Sequence, residues 1–521
     1  MRNKTMMRAF TLILGVSSIG FASSVGAQTT SQDMKQQIDT LQKQIEALRA
    51  DLNHISAQQN AQPPVAAAAP AANHDFLERK AGDGLTLLTR GGEVTLYGNA
   101  DLSIDDTTKG ISNMVGLNGS RPAGNNGYMP AVSSNNSYVG LRGFQSLGSF
   151  PAKFIYQFET QIDVSATSGT GYTNSNQSNT VKGGLTSRNT FIGLANATYG
   201  AFKVGKTDAP YKTSTASMNP FTGMLGDYAV VMGNTGGDNR VEFGTRLDHA
   251  IWYESPNMSG FTVNALISPG QNRAYDNTNV AAGESDCSGG NAPGSGATPV
   301  ACDDGSYGTA YSGSLNYRKG PLLVTTAYEL HKNVNRTADL APRYDPNDIA
   351  DETAAKIGIQ YAFSTGTTVS AIYENMKRKV PQYLMNQNER QRSGTWLAVT
   401  QALGAKDSIS AGWAHGGNTP GDPGQANTPG FVAGAPNGVN MYTLAWKHQV
   451  DKQFSIYADY ALTLNGQNAH YDLGAGGRGV TTDCHDASNP DTSGTIPNGG
   501  APYCWAGGRL QGVSLGMRYT F

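Results

Sequence analysis

Residues 152–163 read AKFIYQFETQID. Phe154, Tyr156, Phe158 and Ile162 fall on one face, and Lys153, Gln157, Glu159, Gln161 and Asp163 fall on the other. A period of two is the period of a β-strand. A strand this long, apolar on one side and charged on the other, suits lipid outside and water inside.

The same pattern, less regular, recurs outward from this stretch. Sixteen segments between residues 93 and 521 read as strands, from 93–106 and 136–147 through 151–164 to 453–464 and 509–521. Their connections alternate in length. Short ones lie at 148–150, 197–198, 255–259, 320, 364–365, 404 and 451–452. Long ones lie at 107–135, 165–187, 207–240, 269–307, 333–350, 379–390, 415–438 and 465–508. Tight turns at one rim and long loops at the other are what an up-and-down membrane barrel requires. The fold expected is all-β, a sixteen-stranded antiparallel transmembrane barrel, with both barrel termini on the periplasmic side. A solenoid would need a fixed repeat, and none is present. A soluble sandwich would need its apolar faces covered, and no stock of core helices exists.

Composition agrees. The chain has 521 residues, 38% hydrophobic and 15% charged, with 64 Gly and more Tyr (24) than Phe (16). Disordered chains pair low hydrophobicity with high net charge, whereas the formal charge here is −2. That balance also gives no nucleic-acid partner. No apolar run of about eighteen residues follows the first thirty, so spanning helices are not expected.

Residues 1–27 read as a signal peptide. Arg2, Lys4 and Arg8 precede an apolar stretch from Ala9 to Ala22, and Val25-Gly26-Ala27 offers a small-residue cleavage site. Its removal leaves 35 basic against 40 acidic residues, a formal charge of −5. Residues 28–56 read as a coiled-coil helix, with Met34, Ile38, Leu41, Ile45, Leu48, Leu52 and Ile55 as its heptad seam. The Ala/Pro-rich stretch 57–92 reads as a linker. Four cysteines fall in two long loops, Cys287 with Cys302 and Cys484 with Cys504. Export to an oxidising compartment makes disulfides the expectation, with the local pairing favoured. A metal site near Asp286, Asp303, Asp304, His485 and Asp486 is the rival, but no CxxC or HxxxH spacing supports it.

Several strings now carry a resemblance. VTLYGNADLSID opens the barrel region, and SYVGLRGFQSLG follows at 137–148. SRNTFIGLANATYGAFKVGK spans 187–206, HAIWYESPNMSGFTVNALIS spans 249–268, and the chain ends MRYTF. Over residues 93–521 the chain resembles the general porins of Gram-negative bacteria, sixteen-stranded trimeric barrels of the outer membrane. The N-terminal coiled coil resembles an extension found on some sugar- and dicarboxylate-specific porins. The resemblance implies a homotrimer and a water-filled channel for small hydrophilic solutes and ions. It also implies that Phe521 is part of the signal read by the assembly machinery.

The family folds its third long loop into the barrel. Here that loop is 207–240. Its Pro220-Phe221-Thr222-Gly223 and Gly226-Asp227 partly match the family's turn, without its Glu. The resemblance implies an eyelet with Asp208, Asp227 and Asp238 on the loop and Arg142, Arg188 and Arg246 on the wall. Lys203 and Glu159 point to the same water by strand parity. Charges of both signs across a narrow channel set up a transverse field that aligns polar solutes. Tyr138, Trp252 and Phe221 are the aromatic candidates for a sugar track. Lys377, Arg378, Lys379, Arg390 and Arg392 flank an outer loop, where a solvated rim competes with contacts to lipopolysaccharide phosphates.

Other motifs fail on context. Gly512-Val513-Ser514-Leu515-Gly516 matches GxSxG but lies inside the last expected strand, not at a strand-to-helix elbow. Thr235-Gly236-Gly237 lacks the Lys-Ser/Thr ending of a phosphate loop. Asp345, Asp348 and Asp351 read as a solvated acidic loop rather than a Ca²⁺ site. No enzyme, cofactor or metal is expected. Passive diffusion leads. Selective passage of a carboxylate or sugar is one alternative, and a tether from outer membrane to peptidoglycan through the coiled coil is the other.

Overall fold

The computed structural model describes residues 78–80, 84–108, 128–162, 164, 188–233, 243–269, 304–306, 308–336, 349–379, 391–419, 434–467, 469, 471, 473 and 507–521. The signal peptide, the heptad seam, Asp238 and all four cysteines lie outside the described residues.

Sixteen antiparallel strands form the wall. They are β1 (Gly92–Thr108), β2 (Tyr138–Ser146), β3 (Lys153–Gln161), β4 (Thr190–Asn196), β5 (Gly200–Asp208), β6 (Arg246–Glu254), β7 (Phe261–Pro269) and β8 (Thr309–Lys319). Then come β9 (Leu322–Arg336), β10 (Ile349–Ala362), β11 (Thr367–Arg378), β12 (Gln391–Leu403), β13 (Asp407–Gly416), β14 (Val439–Gln449), β15 (Phe454–Asn465) and β16 (Arg509–Thr520). Each pairs with its neighbour in sequence, and β16 returns to β1, with Leu515 opposite Ile104 and Thr520 opposite Asn99. The barrel is closed, so the row of unpaired amides at a sheet edge disappears. Gly320 and Gly404 take left-handed conformations in two of the tight turns, where a Cβ would be strained.

Burial is inverted relative to a soluble protein. Along β12, Trp396 and Ala398 are buried while Leu397 and Val399 are exposed. The same holds for Tyr373 against Glu374, and for Leu444 against Thr443 and Ala445. Large apolar side chains face outward on every long strand, and carboxylates and guanidiniums face inward. Only an apolar solvent outside makes that arrangement favourable.

Among the described residues four short strands lie where none was expected: Glu78–Arg79, which pairs with Leu85–Thr89, Asp304–Ser306, which pairs with the end of β9, and two that pair with β1. Leu85–Thr89 folds back on β1 through the turn Arg90-Gly91, pairing Leu85 with Leu96 and Thr89 with Gly92. The linker expected over 57–92 therefore overlaps Glu78–Arg79 and Leu85–Thr89. Tyr128–Ser134, inside the long connection expected at 107–135, pairs with the outer half of β1. Both strands on β1 have one cause. At 17 residues β1 outruns its barrel neighbours, and the surplus backbone donors and acceptors need partners.

The connection from β5 to β6 supplies the inner packing. It starts with a short helix, α1 (Pro210–Ser214), opened by Pro210, a residue suited to the first turn. Met218, Phe221, Met224, Val230, Val231 and Met232 then cluster with Ile372, Trp396, Ala414, Met441 and Tyr457. These wall residues belong to the face opposite the exposed apolar one. The segment thus lies inside the barrel, where a sixteen-stranded wall leaves more space than its own side chains fill. Trp396 Nε1 donates to the Met218 carbonyl at 3.0 Å, and Thr443 Oγ1 donates to the Gly226 carbonyl at 2.9 Å.

Candidate pore constriction

A continuous polar network lines the inner wall from β1 to β6. Arg188, just before β4, donates from Nε to Glu159 Oε1 at 2.6 Å. The other Glu159 oxygen accepts from Tyr97 Oη at 3.0 Å. The Arg188 guanidinium lies 4.6 Å over the Tyr138 ring, and that of Arg142 lies 4.6 Å over the Tyr97 ring. Cation–π contact helps to hold both cations, of which Arg188 is also paired with Glu159. One strand further on, Arg246 approaches Asp208 at 3.1 Å and donates to Asn189 Oδ1 at 2.8 Å. Lys212 Nζ completes the group, 2.9 Å from Asp208.

Five expected residues, Arg142, Glu159, Arg188, Asp208 and Arg246, are therefore brought to one stretch of wall. Other expectations need correction. Asp208 ends β5 on the wall itself, beside its arginine, not across the channel from it. Asp227 builds a turn. Its carboxylate accepts from Asn219 Nδ2 at 2.7 Å, from the Gly223 amide at 3.1 Å and from the Ala229 amide at 3.0 Å. Those bonds cap a 3₁₀ turn at Tyr228–Val230, so both Asp227 oxygens are engaged within the segment's own turn. Lys203 faces inward but sits near the other end of β5, bound to Glu254 at 2.7 Å.

Phe221 and Trp252 are buried and pack edge-to-face with Trp396 and Phe191, so neither offers an exposed ring face for a sugar track. Arg378 and Arg392 are not rim residues either. Both are 1% exposed. Arg378 pairs with Glu352 at 2.8 Å, and Arg392 donates to the Val231 carbonyl at 2.7 Å. Asp351 pairs with Lys332. Ser514 lies mid-strand in β16, in register with Asp459 and Asp105, without the elbow a nucleophile of that motif needs.

Sequence reasoning missed the residues that fix the inner segment. Glu374 accepts from Tyr211 Oη at 2.9 Å and from the Gly233 amide at 2.8 Å. Burial, and then the Glu374 charge, push the Tyr211 phenol well above the ordinary tyrosine range. Burial raises Tyr228 as well. Arg518 on β16 approaches Asp101 on β1 at 2.7 Å and donates to the Thr222 carbonyl at 2.8 Å. Strand parity was the available signal, since each of these charges alternates with a large outward apolar residue.

A family model for Gram-negative porins matches residues 63–468. The chain belongs to the Gram-negative porins. Among solved structures, the porin is similar to an anion-selective porin from Comamonas acidovorans, at 17% identity and a TM-score of 0.55. The match covers 82% of this chain and 100% of that one. It is also matched by OmpT of Vibrio cholerae, at 14% identity, TM-score 0.48, and coverage of 84% and 100%. The channel DcaP of Acinetobacter baumannii matches at 12% identity, TM-score 0.48, and coverage of 83% and 98%. At such identities the likeness concerns the fold. No curated protein matches the chain. The porin is an outer-membrane channel for passive diffusion.

Proposed function

We propose that this porin passes small anions in preference to cations. One observation carries the reading. Glu159, Asp208 and Asp101 are each bound by a guanidinium, whereas among the described residues Arg142 and Lys447, both on inward positions, have no acidic partner within ion-pair distance. Uncompensated fixed cations concentrate counter-anions over about 10 Å at 0.1 M salt. The similar barrel from Comamonas acidovorans is described as anion-selective, which supports the reading at the level of fold. The working unit in this proposal is a homotrimer among outer-membrane lipids and lipopolysaccharide. In the same proposal residues 28–56, whose heptad pattern runs from Met34 to Ile55, are the segment that would contact peptidoglycan.

The test is the reversal potential of the purified porin in a planar bilayer under a potassium chloride gradient. The expected potential lies on the chloride side of zero. Arg142→Glu and Lys447→Glu together should move it toward the potassium side. A potential at zero or on the potassium side in the unaltered protein would overturn the proposal.

A further inference from the structure

The inner segment curls round a cavity of about 130 Å³, closed at its base by Lys356 of β10 and Glu374 of β11. A water needs about 10–15 Å³ of such space, so there is room for several waters or one small solute. Its sides are the rings of Tyr211, Tyr228 and Phe243, with Met232. The Tyr211 and Phe243 rings meet at 6.4 Å and 51°, and Phe243 also stacks on His331 at 4.8 Å.

The polar atoms of the lining are mostly taken. Both Glu374 oxygens accept from the segment's own donors, and so do both oxygens of Asp227. Tyr228 Oη bonds to Thr215 at 3.1 Å. Lys212 is paired with Asp208. Lys356 differs. Its ammonium touches a neutral hydroxyl, Thr215 Oγ1 at 2.8 Å, and lies 4.0 Å over the Tyr211 ring. Among the described residues it has no carboxylate within ion-pair distance.

We propose that this cavity binds a small carboxylate with a flat apolar body as the solute passes. The carboxylate would meet Lys356 in a charge-assisted bond, and the body would lie against Tyr228 and Phe243. A sugar fits poorly, since few lining donors and acceptors are free to replace its hydration. Inorganic phosphate fits poorly too, because one ammonium among rings cannot replace the water around a doubly charged ion. The proposal rests on the anion-channel reading and narrows it to a solute class.

Benzoate is the probe, added to one side of a bilayer holding the full-length porin in potassium chloride. Saturable block of the current is expected. Acetate, which has the charge without the ring, and benzyl alcohol, which has the ring without the charge, should block only at far higher concentrations. Lys356→Met should raise the half-blocking benzoate concentration about tenfold or more, and Lys356→Arg should restore most of it. Tyr228→Leu keeps the ammonium and should weaken benzoate more than acetate. Lys319→Met, at the end of β8 beside the Gly320 turn and outside the cavity lining, serves as the control. Current without benzoate block, or equal block by acetate, or no effect of Lys356→Met, would overturn the proposal while leaving the channel standing. No current at all from folded protein would instead remove the reading on which it rests.

Discussion

Arg246 and Asp208 show how a single residue acts in this wall. Both are largely shielded from water, and each has a second partner, Asn189 for the arginine and Lys212 for the aspartate. Removing one partner of a buried pair costs about 3–5 kcal/mol because the other charge is stranded. Here Lys212 remains, so Arg246→Ala should cost about 2 kcal/mol, less than that range. Thermal unfolding of the detergent-solubilised barrel would measure it. Tyr211 gives a pH dependence. Its folded-state pKa is raised, first by burial and then by Glu374. The stability this bond contributes is therefore full below about pH 10, the ordinary tyrosine value, and falls as pH rises from there through the higher folded value, where the bond itself is lost. Single-channel conductance should stay flat past about pH 10 and rise only once pH passes that higher folded value. Tyr211→Phe should abolish that rise. Parity and resemblance together made Arg142, Arg188, Arg246 and Glu159 legible from the sequence. Asp227 misled because its role depends on how the segment curls, which no local pattern encodes. Lys356 and Glu374 carried no motif, and only the incoming segment gives them a role.

At the scale of elements, the inner segment is held by close approach as much as by hydrogen bonds. A Cβ at Gly412 would overlap the Trp396 ring and stand 2.6 Å from Phe221. Gly412→Leu should therefore push the segment off the wall, at an overpacking cost of about 1–3 kcal/mol. The expected readout is larger single-channel conductance together with a lower unfolding temperature. Conductance unchanged at normal stability would mean that the segment does not narrow the channel. The sixteen wall strands were legible because alternation is strong wherever lipid and water lie on opposite faces. The strands at Leu85–Thr89 and Tyr128–Ser134 were not. LTLLT breaks its own alternation at Leu87-Leu88, and Pro130 interrupts the other. What calls both into being is the excess length of β1, a property of a neighbour.

For the whole molecule, closure is the decisive event. Gly98 and Phe521 exchange amide-to-carbonyl bonds in both directions at 3.1 Å, and the Phe521 ring stacks on Tyr519 at 5.8 Å. Deleting Phe521 removes that last rung. The fraction of chain recovered as compact, heat-modifiable barrel should fall, with little change in the unfolding temperature of the barrels that do form. Arg518 adds a matter of timing. Its partner Asp101 is 417 residues away, and contacts of such separation form late because loop-closure entropy must first be overcome. Yet the same guanidinium also holds the tip of the inner segment at Thr222. The nascent channel therefore cannot acquire its final bore before its two ends have met.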